Sequence, residues 1–171
     1  MIRIEQTKLN SVLLIHLDSF EDHRGEYVET YNKRIYKEAG IDVEFLQDDY
    51  SKSEKNVLRG IHGDTETWKL ISCPHGKFYL VVINCDETSK SFGEWESFVL
   101  SDKNKKQVLI PPVYGNGHLI LSDVAIFCYK QSTYYDPSKQ FSYRWNDPKF
   151  NIWWPIKNPI LSRRDELGHY I

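Results

Sequence analysis

The chain has 171 residues, a net charge of −2 and 40% hydrophobic residues, a size at which one domain buries about 70% of its unfolded surface and two would be cramped. The near-neutral balance, with a pI of about 6.3, excludes a general electrostatic attraction to nucleic acid or anionic lipid. The longest uncharged run, residues 108 to 122, is broken by Pro111, Pro112, Gly115 and Gly117 and is too short for a membrane span.

The start, Met1 to Glu5, carries no signal-peptide pattern. Cys73, Cys85 and Cys128 are isolated, odd in number and without a CxxC pair, as expected of buried thiols in a reducing compartment. The expectation is a soluble cytoplasmic protein that binds neither nucleic acid nor membrane.

Residues 12 to 17 form a short apolar strand, followed by a polar group to Gly25. Residues 26 to 31 alternate as a strand, and Asn32 then caps a short helix over 33–39 that Gly40 stops. Residues 43 to 50 read as extended, and 51 to 56 as a charged turn. Next comes Val57-Leu58-Arg59-Gly60-Ile61-His62, a strand whose period of two places Gly60 and His62 on one face, with a glycine clearing space beside the histidine. A polar loop leads to an apolar segment over 68–73, then a Pro74-His75-Gly76 turn and a strongly apolar strand over 77–85. Further strands fall at 96–100, 107–110, 118–121, 124–130 and 141–145. Many short strands with Gly, Pro and Asp turns predict an all-β sandwich or barrel in one domain over 1–171. The aromatic stretch from Trp145 to Pro155 is too apolar to hang free and must pack on that barrel.

Arg24, Arg59 and Lys69 are cations on or beside strands, where a purely structural sheet prefers uncharged partners; each alone also fits a surface charge. With His62 and the aromatics they can build an anion-binding cleft, since arginine meets phosphate oxygens bidentately. Tyr129 lies in an apolar strand, where a tyrosine bonded to backbone is the plainer alternative.

These residues sit inside a longer series. Arg24-Gly25 with Glu29, Gln47-Asp48-Asp49, Val57 to His62, Lys69-Leu70-Ile71 with Gly76, Ser91-Phe92-Gly93, and Leu100-Ser101 with Asn104 and Gln107 come first. Ile110-Pro111, Leu121-Ser122-Asp123, Tyr129-Lys130, Tyr134 to Pro137, Trp145 to Pro148, Trp154-Pro155 and Leu161-Ser162 complete it. In this order they resemble the dTDP-4-dehydrorhamnose 3,5-epimerase family, the RmlC-like cupins, from about Phe20 to Asp165. The resemblance implies a cupin-type jelly roll (double-stranded β-helix) with one or two short helices. It also implies a homodimer, a nucleotide-diphospho-4-keto-6-deoxy sugar as substrate, and no metal or organic cofactor.

It further implies the site. A carbonyl at C4 acidifies the hydrogens at C3 and C5. His62 is the base, since a free imidazole titrates near 6.5; Asp165 holds the imidazole's orientation and tautomer; Lys69 stabilises charge on the C4 oxygen; Tyr129 returns a proton on the opposite face. Arg24 and Arg59 hold diphosphate and sugar, and Tyr135 stacks on the base. Glu29, Gln47, Asp49, Asn116 and Arg164 complete the expected substrate contacts.

The chain also departs from the family. Gly63-Asp64 replaces a Tyr-Gln pair, and the loop to Lys69 is shorter. Asn116 replaces a histidine, Asp49 an asparagine, Gln140 a common glutamate and Arg164 a lysine. With the proposed chemistry kept and contact positions moved, the expected substrate is GDP-4-keto-6-deoxy-heptose for capsular polysaccharide biosynthesis, with dTDP-4-keto-6-deoxyglucose as the alternative. C3-only epimerisation and a non-catalytic sugar-nucleotide binding cupin are the other readings. A metal-dependent cupin needs an HxH pair on this strand, and Gly60 stands where its first histidine would be.

Overall fold

The structure, a computed structural model, describes residues 2–169. Its first sheet has the order β1 (Ile2–Gln6), β2 (Leu13–Leu17), β10 (Lys106–Ile110), β7 (Lys69–His75), β12 (Val124–Gln131) and β5 (Gln47–Glu54). The second runs β13 (Phe141–Ser142), β6 (Leu58–Gly63), β11 (Tyr114–Ile120), β8 (Lys77–Asn84) and β9 (Trp95–Ser101). A separate hairpin pairs β3 (Phe20–Asp22) with β4 (Gly25–Tyr27). Helices α1 (Lys33–Glu38) and α2 (Arg163–Glu166) are short. This is the all-β jelly roll expected from the sequence.

Strand β8 explains how the layers hold together. One face, Phe78, Leu80 and Val82, packs with Ile71, Val108, Ile110 and Phe127 of the opposite sheet. The other face, Tyr79, Val81 and Ile83, is covered by Phe150 and Trp154 of the C-terminal segment. A strand buried on both faces reads as a continuous apolar run, and each such side chain contributes about 1.5–3 kcal/mol. Trp154 also donates its indole N–H to the Trp145 carbonyl at 2.8 Å. The C-terminal segment is therefore packed on the barrel, as its composition requires.

Asn32 caps α1, accepting from the Arg34 and Ile35 amides at 3.2 and 3.4 Å. Elsewhere the boundaries move. The charged segment read as a turn over 51–56 is strand as far as Glu54, because β5 is an edge of its sheet and its outer face is solvated. Likewise β11 begins at Tyr114, four residues before the strand expected over 118–121. There the glycines allow close packing: a Cβ on Gly117 would meet Ile61 Cδ1 at 2.9 Å. The predicted strand over 141–145 shrinks to β13, two residues long. Strand β1 carried no recognised signal.

Candidate active site

A cavity of about 450 Å³ opens between the two sheets. The period of two on each strand decides which side chains enter it. From β12 come Phe127, Tyr129 and Gln131; from β11 come Asn116 and His118; from β5 come Gln47 and Asp49. Strand β6 contributes both Arg59 and His62, three residues apart. A register irregularity between Asn116 and His118 on the paired strand allows this. Gly60 lies between them, and a Cβ there would stand 2.4 Å from Gly117 Cα, so the two strands approach closely only with glycine in both places.

His62 Nε2 lies 2.8 Å from Asp165 Oδ1. Asp165 is buried at the end of a long connection, in α2, where Ser162 caps the helix and donates its hydroxyl to Asp165 Oδ2 at 2.7 Å. The Gly60 amide donates to Oδ1 at 3.2 Å. Burial alone would raise this carboxyl, but the close His62 imidazole, the Ser162 hydroxyl and the Gly60 amide outweigh it and hold Asp165 below the usual carboxylate range. With Nε2 facing Asp165, Nδ1 is the ring nitrogen left to receive a proton.

Lys69 starts β7, is buried, and lines the cavity. Its ammonium makes no ion pair or hydrogen bond among the described residues. Burial lowers its pKa from the usual lysine value, opposed by Asp64 and reinforced by Arg164. Such a cation is suited to an oxygen that becomes negative. Tyr129 is pushed up to about 12, by burial first and then by Asp49 and Tyr135, so it holds its proton at neutral pH and can act as an acid. His62, Lys69 and Tyr129 thus face one cavity from three strands.

Asp49 Oδ2 accepts from Gln47 Nε2 and Gln131 Nε2, each at 2.7 Å, and Gln47 in turn accepts the Tyr135 amide at 2.9 Å. This chain of bonds fixes the backbone under Tyr135, whose ring is 45% exposed at the cavity rim. Arg59 bonds Ser53 Oγ at 3.1 Å and Arg164 bonds Ser142 Oγ at 3.0 Å. Ten of the twelve predicted site residues line the cavity.

The structure does not bring Arg24 and Glu29 to it. Arg24 sits in the turn of the β3–β4 hairpin, its side chain 79% exposed and paired with Asp22 at 2.6 Å. Glu29 accepts from Asn32 at 3.0 Å. Conversely, His118 and Gln131 line the cavity and were not predicted. Alternation along the strands that carry Asn116 and Tyr129 was the available signal. His118 stacks on Phe127, centroids 3.9 Å apart, and burial pushes it down to about 3, so it is neutral. Its Nε2 and Asn116 Oδ1 are buried polar atoms without a hydrogen-bond partner among the described residues.

No cluster of three or more His, Cys, Asp or Glu side chains suited to a metal ion occurs among the described residues. No helix of the described residues is long and apolar enough to cross a membrane.

The family model for dTDP-4-dehydrorhamnose 3,5-epimerase matches residues 6–171. A curated dTDP-4-dehydrorhamnose 3,5-epimerase from Shigella flexneri is 38% identical, covering 98% of this chain and 94% of that protein. Among solved structures, dTDP-6-deoxy-D-glucose-3,5-epimerase RmlC from Legionella pneumophila, in complex with dTDP-4-keto-L-rhamnose, superposes with a TM-score of 0.94. It is 33% identical and covers 99% of this chain and 93% of that one. The dTDP-4-dehydrorhamnose 3,5-epimerase from Bacillus anthracis with TDP and PPi bound has a TM-score of 0.96 at 30% identity, covering all of both chains.

Proposed function

The chain belongs to the dTDP-4-dehydrorhamnose 3,5-epimerase family, an isomerase family, and from that premise we propose that it inverts C3 and C5 of a nucleotide-diphospho-4-keto-6-deoxy sugar. The observation that carries the reading is the convergence of His62, Lys69 and Tyr129 on one cavity, with Asp165 fixing His62. His62 Nδ1 takes the proton from the carbon beside the C4 carbonyl. The C–H electron pair moves into the ring and the carbonyl electrons onto the C4 oxygen, where the Lys69 ammonium offsets the charge. Tyr129 then donates its phenolic proton to the opposite face of the same carbon. His62 loses and Tyr129 regains a proton through solvent, so the reaction is balanced and the inverted carbon carries a solvent hydrogen. Arg59 and Arg164 supply positive charge for the diphosphate.

The nucleotide is best taken as dTDP, because the relatives described above carry dTDP sugars in their names. The comparisons give no support to a GDP-linked heptose. That second reading rests on the moved contact positions, among them Asn116, whose buried Oδ1 has no hydrogen-bond partner among the described residues.

A homodimer fits the β3–β4 hairpin, whose strands are exposed along their full length. Phe20 and Tyr27, each about two-thirds exposed, face each other at the open end of this hairpin, and Arg24 stands in its turn. A second copy that covers this hairpin would receive Arg24 at its own cavity.

The test is proton exchange in heavy water. Candidate dTDP-4-keto-6-deoxyglucose and GDP-4-keto-6-deoxy-heptose are incubated with the protein and with His62→Asn, and NMR follows C3 and C5. Loss of both signals with the first substrate, and not with the variant, is the expected result. Loss at C3 alone makes it a one-centre enzyme, preference for the heptose moves the substrate, and binding without exchange overturns catalysis.

A further inference from the structure

Gln131 ends β12, is only 2% exposed and lines the substrate cavity. Its amide has a fixed sense. One end lies 2.7 Å from Asp49 Oδ2, and a carboxylate only accepts, so that end is the NH2 group. The planar amide then turns its carbonyl oxygen away from Asp49. The same carboxylate oxygen fixes Gln47 in the same sense at 2.7 Å, and there the carbonyl is used: it accepts the Tyr135 amide at 2.9 Å. The Gln131 carbonyl is not used. It accepts no hydrogen bond among the described residues, and a carbonyl at this depth calls for a donor.

The sheet places that oxygen. Gln131 is the direct cross-strand partner of Gln47 on β5 and of Lys69 on β7. Side chains opposed in this way share a face, with Cβ atoms about 4.5–5.5 Å apart. On its other side Lys69 is partnered by Ile110 of β10, which is buried and apolar. Gln131 is therefore the polar side chain directly across from Lys69. Tyr129 lies two residues back on the same strand and face, opposite Asp49. Asn116 Oδ1 and His118 Nε2, also without partners among the described residues, belong to β11 in the facing sheet. One sheet thus presents a free donor at Lys69 and a free acceptor at Gln131, side by side.

A 4-keto-6-deoxy sugar presents the matching pair. Of the two carbons bonded to C4, C5 carries the ring oxygen and C6 but no hydroxyl, while C3 carries one. When a proton leaves C3, the C3–C4 unit becomes planar. The closed ring then holds the C3 hydroxyl and the C4 oxygen on the same side of the double bond. A cation for one oxygen and an acceptor for the other is the arrangement of Lys69 and Gln131. We infer that Gln131 is a specificity-determining residue whose carbonyl accepts the C3 hydroxyl while Lys69 meets the C4 oxygen, and that Asp49 aims it. The inference rests on the epimerase reading for the identity of the sugar, and on the structure alone for the oriented acceptor beside Lys69.

The test crosses substrate with residue. dTDP-4-keto-6-deoxyglucose and its 3-deoxy analogue are given to the wild type and to Gln131→Leu, and NMR in heavy water reads exchange of the hydrogen at C3, which both sugars carry. With the hydroxylated sugar, Gln131→Leu is expected to lower kcat/KM for exchange by about tenfold. With the analogue the bond is already missing, and the same variant changes the rate by less than about twofold. No loss with the hydroxylated sugar, or an equal loss with both, overturns the inference and leaves Gln131 a structural residue. If Gln131→Leu does not fold, Gln131→Met, of nearly the same length, takes its place. If neither folds, calorimetry on the wild type decides: a Kd about tenfold lower for the hydroxylated sugar supports the inference, and equal Kd values overturn it. Binding of both sugars without exchange would refute the epimerase reading and leave that Kd ratio to decide the role of Gln131. Binding of neither would overturn both.

Discussion

One oxygen of Asp165 serves two partners: Oδ1 lies 2.8 Å from His62 Nε2 and accepts the Gly60 amide at 3.2 Å. The carboxylate thereby orients the ring and pins the strand that carries it. Asp165→Asn keeps the shape but removes the charge that stabilises the imidazolium. The expected loss in kcat is about 10²–10⁴-fold with little change in KM, measured by steady-state kinetics. The variant also tests stability. The folded carboxyl titrates below its unfolded value of about 3.9. Its contribution, on the order of 1–3 kcal/mol, is therefore present above that pH and disappears as pH falls through the folded value. Denaturation curves of wild type and variant should differ at pH 7 and converge in acid.

Tyr129→Phe separates proton removal from inversion. His62 still has its partner, so hydrogen at C3 or C5 continues to exchange with heavy water. The proton for the opposite face is missing, and formation of inverted product falls by about 10²–10⁴-fold. Equal loss of exchange and inversion would assign Tyr129 to binding.

Lys69→Met sets function against stability. A buried cation without a bonded partner costs free energy that a methionine of similar length does not. The variant should unfold about 1–2 kcal/mol later in urea while kcat drops by about 10²–10³-fold. A variant that is both less stable and less active would mean that Lys69 is held by contacts stronger than its surroundings show.

Arg24 gives a mixing experiment for the dimer. Arg24→Ala and His62→Asn should each be nearly inactive alone. Co-refolded in equal amounts, half of the dimers pair one of each, and one site in such a dimer receives both Arg24 and His62 intact. About a quarter of wild-type activity should return. No recovery would place Arg24 outside the reaction or leave the protein a monomer.

The jelly roll was legible because its strands alternate and its turns carry Gly, Pro and Asp, and because the motif order spans nearly the whole chain. His62, Lys69 and Tyr129 each had a plain structural alternative in the sequence, and it was the family resemblance that singled them out. What could not be read was depth. Arg24 and Arg59 look alike in sequence, yet one lies in an exposed hairpin turn and the other faces the cavity. Tertiary pairing made that difference. The charged run from Ser51 to Glu54 looks like a turn but is an edge strand, since a solvated face accepts charge without losing its ladder. His118 was not among the expected site residues, and its register on β11 beside Asn116 brings it to the cavity.

The bond from the Gly60 amide to Asp165 spans 105 residues of chain. Closing a loop that long is a late, entropically costly event in folding. The amide can exchange with solvent only when the C-terminal segment lifts from β6 or the whole barrel opens. Its exchange rate is therefore a clock for the assembled dyad. On the proposed mechanism, a molecule in which that segment has peeled away keeps His62 but lacks the carboxylate that orients it, and regains turnover as the two meet again.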